Sequence, residues 1–476
     1  MIVHWRPSFA ILACAAASSL AAQSPSGPTR CNLVPQPTTR LSADTLPTGQ
    51  QVAFLGGGVL LKCPARGITL RSDSAEQYPD RDFLVGHVVY DEPRFHLTSD
   101  YLTHYPNDER IVAVQNVDAR LPSGSTLVGP FAEYRRAVAK IRPRRQMLAR
   151  FRPTITIVEK DSAGKPAKPM TVVADTVFMD GDSLIYANGQ VIITRPDISA
   201  TADSAFIDEG KETMRLMRGP KLTGMKERPF TLSGDLIDLF SRDRKLSRVI
   251  ARANATAVSD SLTLKSDTID LRLKGDLLDH AYAWGMTSRA RAVSPAQNML
   301  ADSLDVFMPG QRVQLVRALR KAFAQGRPDT TRYKVEKSDT TDWLQGDTIT
   351  AHFDTAAAAK KDTSKSPTIK QLVSTGHARS LYHMAPTDTA ERRPAINHVV
   401  ARRITIDFDS AKVATVTTVD SVFGIYIEPR GIEPRGDSAS VRRVNADAGT
   451  TPKPAPNQKP LPKSIIPALP TAPKKP

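Results

Sequence analysis

Residues 174–206 read ADTVFMDGDSLIYANGQVIITRPDISATADSAF. The stretch holds two copies of one short motif, Ala174-Asp175-Thr176-Val177-Phe178 and Ala202-Asp203-Ser204-Ala205-Phe206. Between them stands a second motif, Ala187-Asn188-Gly189-Gln190-Val191. Apolar and polar residues alternate in short runs rich in Val, Ile, Thr and Leu, which is the period of a half-buried strand. At Asp175 the alternation slips. Val172 and Ala174 share one strand face, yet Val177, an odd number of residues away, is apolar too. A straight strand would point it to the opposite side. The strand must therefore bend or bulge at the Asp, where a small preceding residue fits a tight corner and a carboxylate accepts backbone N–H bonds. Such a corner carries a strand from one sheet of a sandwich to the other. The other reading is a plain turn between two hairpin strands. Neither makes the Asp catalytic.

The small-Asp motif recurs along the chain, at Asp73, Asp100, Asp175, Asp203, Asp235, Asp267, Asp302 and Asp347. Three residues before each lies Leu70, Leu97, Val172, Ala200, Leu232, Leu264, Met299 or Leu344. Two residues after lies Ala75, Leu102, Val177, Ala205, Ile237, Ile269, Leu304 or Ile349. Two further units keep the apolar columns around Pro130 and Arg402. Steps between the anchors are 27, 30, 45, 28, 32, 32, 35, 45 and 55 residues. A step near 30 marks a repeat architecture, and the longer steps carry insertions. The second motif recurs at Gly86 and Gly376, and more loosely at Gln115 and Ala253. Glycine inside a strand pattern marks a bulge or bend. Each unit is thus strand, bend, strand, small-Asp corner. The segment Gln311 to Ala324 joins the sheet through the spacing of Leu315, Ala318 and Ala322.

Composition narrows the function. Of 476 residues, 40% are hydrophobic and 24% charged, as in a globular chain. The net charge of +16 suits nucleic acid, a membrane surface or a phosphorylated lipid. No apolar run reaches the ~18 residues of a membrane-crossing helix, which excludes a polytopic helical protein. Met1 to Arg6 is basic and Phe9 to Ala22 is apolar, with small-residue cleavage sites at Ser19-Leu20-Ala21 and Leu20-Ala21-Ala22. This reads as a signal peptide over 1–22 and predicts export to the periplasm, which removes nucleic acid as the partner. Lipoprotein processing at Cys14 is the alternative. Cys31 and Cys63 then form the expected disulfide, because neither has the further ligands of a zinc site.

The alternation of the two motifs after a signal peptide resembles the organic-solvent-tolerance (OstA-like) family, which includes periplasmic lipopolysaccharide-transport proteins of Gram-negative bacteria. The resemblance spans about residues 52 to 427 and rests on the stretches quoted from 174–206. It implies an all-β fold: an elongated twisted β-jellyroll of about ten repeat units that holds lipopolysaccharide acyl chains between two sheets. It also implies pairing of edge strands with other transport proteins, or with copies of the same chain, and an association with the outer membrane. Lipopolysaccharide or a related anionic glycolipid is the expected ligand, with no cofactor, metal or catalysis. The physical argument is that a stacked strand repeat encloses an apolar interior, which takes up fatty chains if its sheets splay and is a dry core if they do not. Groove candidates are Leu70, Leu97, Val172, Val177, Leu232, Ile237, Leu264 and Ile269. A structural envelope scaffold with protein partners only is the alternative function.

Outside the repeats, residues 135–152 hold Arg135, Arg136, Lys140, Arg142, Arg144, Arg145, Arg150 and Arg152 with no acid. A solvated face is one reading. The other makes Arg135, Arg136, Arg142, Arg144 and Arg145 contacts for lipid phosphates, since arginine pairs bidentately with phosphate. The expected organisation is a linker over 23–50, repeats over 51–134, a basic insertion over 135–170, repeats over 171–325 and further repeats with insertions over 326–428. A disordered Pro/Lys-rich tail, 429–476, follows. Catalytic signatures are missing: there is no Gly-x-Ser-x-Gly elbow, phosphate-binding Gly loop or His-Glu-x-x-His. His96, Asp100 and His104 share parity only if no corner intervenes. Asp180-Gly181-Asp182 lacks the other ligands of a calcium loop and reads as a turn.

Overall fold

In the strand Phe95–Tyr105, Phe95, Leu97 and Ser99 are buried, then Leu102 and His104. The inward parity changes between Ser99 and Leu102 while the strand continues through Asp100. Asp100 is therefore a corner inside one strand and not a hairpin turn. His96 lies on the outer face and His104 on the inner one, so the two do not converge with Asp100.

The computed structural model describes residues 33–429, with breaks at 38, 122, 159–163, 166–167, 226–228, 260–261, 276, 295–296, 329–332, 336–340, 355–367, 385–392 and 410–411. The signal peptide, Cys14, Cys31, most of the insertion near 354–368 and the tail from 430 lie outside the described residues.

The described residues form thirty-two strands and no α-helix. Twelve strands run through, such as Asp82–Glu92, Leu184–Thr194 and Ile198–Asp208. The remaining twenty form ten consecutive pairs, each being the two arms of one bent strand, such as Met170–Val173 with Thr176–Asp180. Each bent strand pairs antiparallel with the one before and the one after it, arm to like arm. The arms thus form two layers joined along a line of corners. Inward side chains of both layers belong to one core that runs from Leu33 to Ile406.

Two kinds of corner alternate along the chain. Strands with a small-Asp corner, or with Gly129-Pro130 in its place, are followed by strands that bend through consecutive left-handed residues: Gly86-His87, Gln115-Asn116, Phe151-Arg152, Gly189-Gln190, Arg218-Gly219, Ala253-Asn254, Arg320-Lys321 and Gly376-His377. The two extra residues oppose a single corner residue, so the pairing of Leu184–Thr194 with Ile198–Asp208 jumps between Asn188 and Val191. This is a β-bulge repeated at each step, and it re-aims both arms inward. The triplet Gly56-Gly57-Gly58 makes the same kind of bend, with Gly57 at φ 76 and Gly58 at φ 88.

Three expectations change. Residues 135–170 are not wholly an insertion, because Gln146–Arg150 and Thr154–Ile157 are two arms of a ladder strand. The arginines mask an intact inward column of Met147, Ala149, Ile155 and Ile157. The 23–50 linker also carries strands, Val34–Pro35 and Arg40–Thr45. In Leu315–Gly326, Ala318 and Ala322 face inward as expected, but Val316 takes the place expected of Leu315. The left-handed pair Arg320-Lys321 shifts the register there.

Candidate lipid-binding interior and its mouth

The inward columns supply the interior. Leu70, Leu97, Val172, Val177, Leu232, Ile237 and Ile269 are fully buried and Leu264 is 3% exposed. All eight belong to the one core. In this structure they pack as a closed interior and line no open groove. The neighbours of Leu70 and Leu264 in sequence, Arg71 and Lys265, are exposed, as strand parity requires.

The corner line that joins the layers is polar. The Asp73 N–H donates to the Gly86 carbonyl at 2.9 Å, and the Asp175 N–H to the Gly189 carbonyl at 2.9 Å. The carboxylates lie over the facing bends, where Asp100 accepts from Asn116 at 2.7 Å and Asp203 pairs with Arg218 at 2.7 Å. Asp267 takes the Ser288 hydroxyl and the N–H groups of Met286, Thr287 and Ser288. These bonds hold its carboxyl well below the usual range. The corner aspartates are thus structural, each tied to a neighbouring bend.

On the side opposite the corners, the arm tips meet at a mouth. Glu92 ends the inward column Val88-Tyr90 of one layer, while Tyr134 and Arg136 end a column of the other. The Tyr134 hydroxyl donates to Glu92 at 2.7 Å, and Arg136 pairs with Glu92 at 3.0 Å. Arg136 also reaches Glu109 at 3.4 Å, and Glu109 pairs with Arg66 of the first layer at 2.8 Å. Beneath them Phe95 stacks on Tyr134, centroids 4.3 Å apart. Burial and then Glu92 push the Tyr90 and Tyr134 phenols well above their ordinary value. These contacts clasp the two layers through side chains alone. The sequence reading missed the clasp, because its partners lie 42 and 43 positions apart. The available signal was a carboxylate at inward parity in the Val88-Tyr90-Glu92 column.

The basic segment folds into a hairpin over 136–145. Arg136 belongs to the clasp. Arg135 pairs with Glu133 at 2.6 Å, Arg144 lies 3.6 Å from Asp180, and Arg145 pairs with Asp182. Arg142 donates to two backbone carbonyls, of Arg136 at 2.6 Å and of Asp108 at 3.1 Å. Glu133 stands on the same strand as Arg135, just before the basic run, whereas Asp180 and Asp182 come from the neighbouring 176–184 hairpin, which a local count of charge does not see. Asp180-Gly181-Asp182 is the turn it was read as, and its acids serve these arginines.

Among the described residues no three His, Cys, Asp or Glu side chains converge as a metal site. Cys63 is disulfide-bonded. It sits at the end of Val59–Cys63, where Lys62 pairs with Val34, three positions from Cys31. At the far end, the strands Lys412–Val419 and Phe423–Ile427 pair on one side only among the described residues. Val419, Phe423, Ile425 and Ile427 are exposed there. No protein-family model matches the chain, and no curated protein matches it.

Proposed function

We propose that this chain is a non-enzymatic periplasmic carrier of the OstA-like type, a twisted jellyroll of about ten repeats. It would hold the acyl chains of lipopolysaccharide, or of a related anionic glycolipid, between its layers and relay them toward the outer membrane. One observation carries the reading. Every described backbone pairing joins arm to like arm, and the described contacts across the mouth are made by side chains, one of which, Gln77, donates to the Leu33 carbonyl. Parting the layers about the corner line therefore breaks no ladder hydrogen bond. Acyl chains would replace the lost apolar contacts at about 0.8 kcal/mol per buried CH₂. The net charge of +16 suits an anionic glycolipid.

Photo-crosslinkers at Leu97, Val172, Leu232 and Leu264 test this in exported protein. They should label with lipopolysaccharide, whereas those at Arg71, Thr98 and Lys265 should label far less. Equal labelling of both sets would overturn the inward register as the binding surface. A second reading, a protein-binding envelope scaffold, is favoured by the closed packing of the eight groove candidates. Labelling of neither set on folded protein would select it.

A further inference from the structure

Between the 136–145 hairpin and the strand Thr176–Asp180 lies a cleft of about 480 Å³, lined by Arg135, Ile141, Arg142, Arg144, Gln146 and Asp180. Three guanidinium groups share it with one carboxylate. Arg142 is the informative one. Its Nε and Nη2 are fixed by the carbonyls of Arg136 and Asp108, and among the described residues no carboxylate pairs with it. Carbonyls orient a guanidinium without neutralising it. Burial, and then the charge of Arg135, pull Arg142 below its ordinary pKa despite the opposing charges of Glu109, Asp108 and Glu133. Arg144 is held only loosely, at 3.6 Å from Asp180, and is free to turn toward a stronger acceptor. Ile141 stands at the hairpin tip, 82% exposed, between Lys140 and Arg142. An exposed aliphatic residue between two cations suits an amphiphile better than a bare ion.

We infer that this cleft binds a phosphate group, with Arg142 as the fixed donor, Arg144 and Arg135 as closing donors, and Ile141 against apolar chain beside the phosphate. Arginine's planar fork matches phosphate oxygens two at a time. Arg142 holds the carbonyl of Arg136, whose side chain closes the mouth. A headgroup seated here would hang its chains at the mouth. The lipid source of the phosphate rests on the proposed function; the anion site does not.

Flotation of the full chain with vesicles tests the inference. Phosphatidylcholine vesicles are compared with phosphatidylcholine containing phosphatidic acid, and inorganic phosphate is titrated as competitor. Wild type should float with the phosphomonoester vesicles and not with phosphatidylcholine alone. Arg142→Gln, and separately the pair Arg135→Gln with Arg144→Gln, should weaken flotation about tenfold or more. The pair spares the hairpin bonds of Arg142, so it reads binding even if Arg142→Gln loosens the fold. Lys221→Gln with Lys265→Gln removes two exposed charges elsewhere and should change little. Ile141→Ser should weaken vesicle binding without altering competition by inorganic phosphate, which assigns the source to lipid; full competition with no effect of Ile141→Ser assigns it to free phosphate. Equal losses in the cleft and control variants, or no flotation by wild type, would overturn the site. Interior photo-labelling that persists in that event would leave the carrier reading standing.

Discussion

Gly189 shows what one residue decides. Its φ is +79, and a Cβ built there would stand 2.3 Å from Oδ2 of Asp175. Gly86 is held the same way, 2.2 Å from Oδ2 of Asp73. The two repeated motifs are therefore halves of one device: the carboxylate of the small-Asp corner lies where the side chain of the next bend would be. Gly189→Ala should destabilise the fold by about 1–3 kcal/mol, from left-handed backbone plus the overlap. In an Asp175→Ala background the same change should cost about 1 kcal/mol less, since Ala253 already occupies the matching place of another bend. Additive effects in chemical denaturation would show that the carboxylate does not set the glycine. The sequence made both motifs legible, and the odd offset of Val177 announced the corner. Along the sequence Gly189 stands 14 residues from Asp175 and 14 from Asp203, and the carboxylate over the glycine is that of Asp175, the Asp before it. Spacing along a chain does not say which neighbour closes over a bend.

At the scale of elements, the clasp binds layers that share no described backbone pair. Arg136 is 16% exposed and faces Glu92 and Glu109, themselves 9% and 10% exposed. Removing one partner of a buried ion pair leaves an uncompensated charge. Arg136→Ala should thus destabilise by about 2–4 kcal/mol, with Arg66 still serving Glu109. Arg144→Ala, at an exposed pair, should cost about 0–1 kcal/mol. Comparable losses in thermal unfolding would mean that Arg136 only fills space. Elements were legible where alternation was clean, as in Phe95–Tyr105. They were hidden where cations crowded the outward face, as in Gln146–Arg150, because outward charge says nothing of the inward column. Cross-mouth contacts escaped altogether, since they depend on how two layers meet and not on any period within a strand.

At the scale of the molecule, an unbranched succession of paired strands has two ends, and the described ends differ. The first edge strand, Arg40–Thr45, carries Arg40, Ser42, Asp44 and Thr45, polar residues that discourage further pairing. The last, Phe423–Ile427, is aromatic and β-branched, and its residues are exposed throughout. A long apolar edge is a template for another strand unless it is covered. The carrier reading gives it a use, since relaying a lipid requires one interior to continue into the next, and edge pairing aligns two cores end to end. The full chain should therefore associate through this edge, pairing it with the same edge of a second copy. Phe423→Lys with Ile425→Lys should abolish concentration-dependent association in sedimentation velocity while leaving the melting temperature nearly unchanged, because both side chains are already in solvent. Association that survives the double lysine variant would place the contact elsewhere. A monomer at every concentration would show that the edge is covered by this chain's own residues or reserved for a different partner.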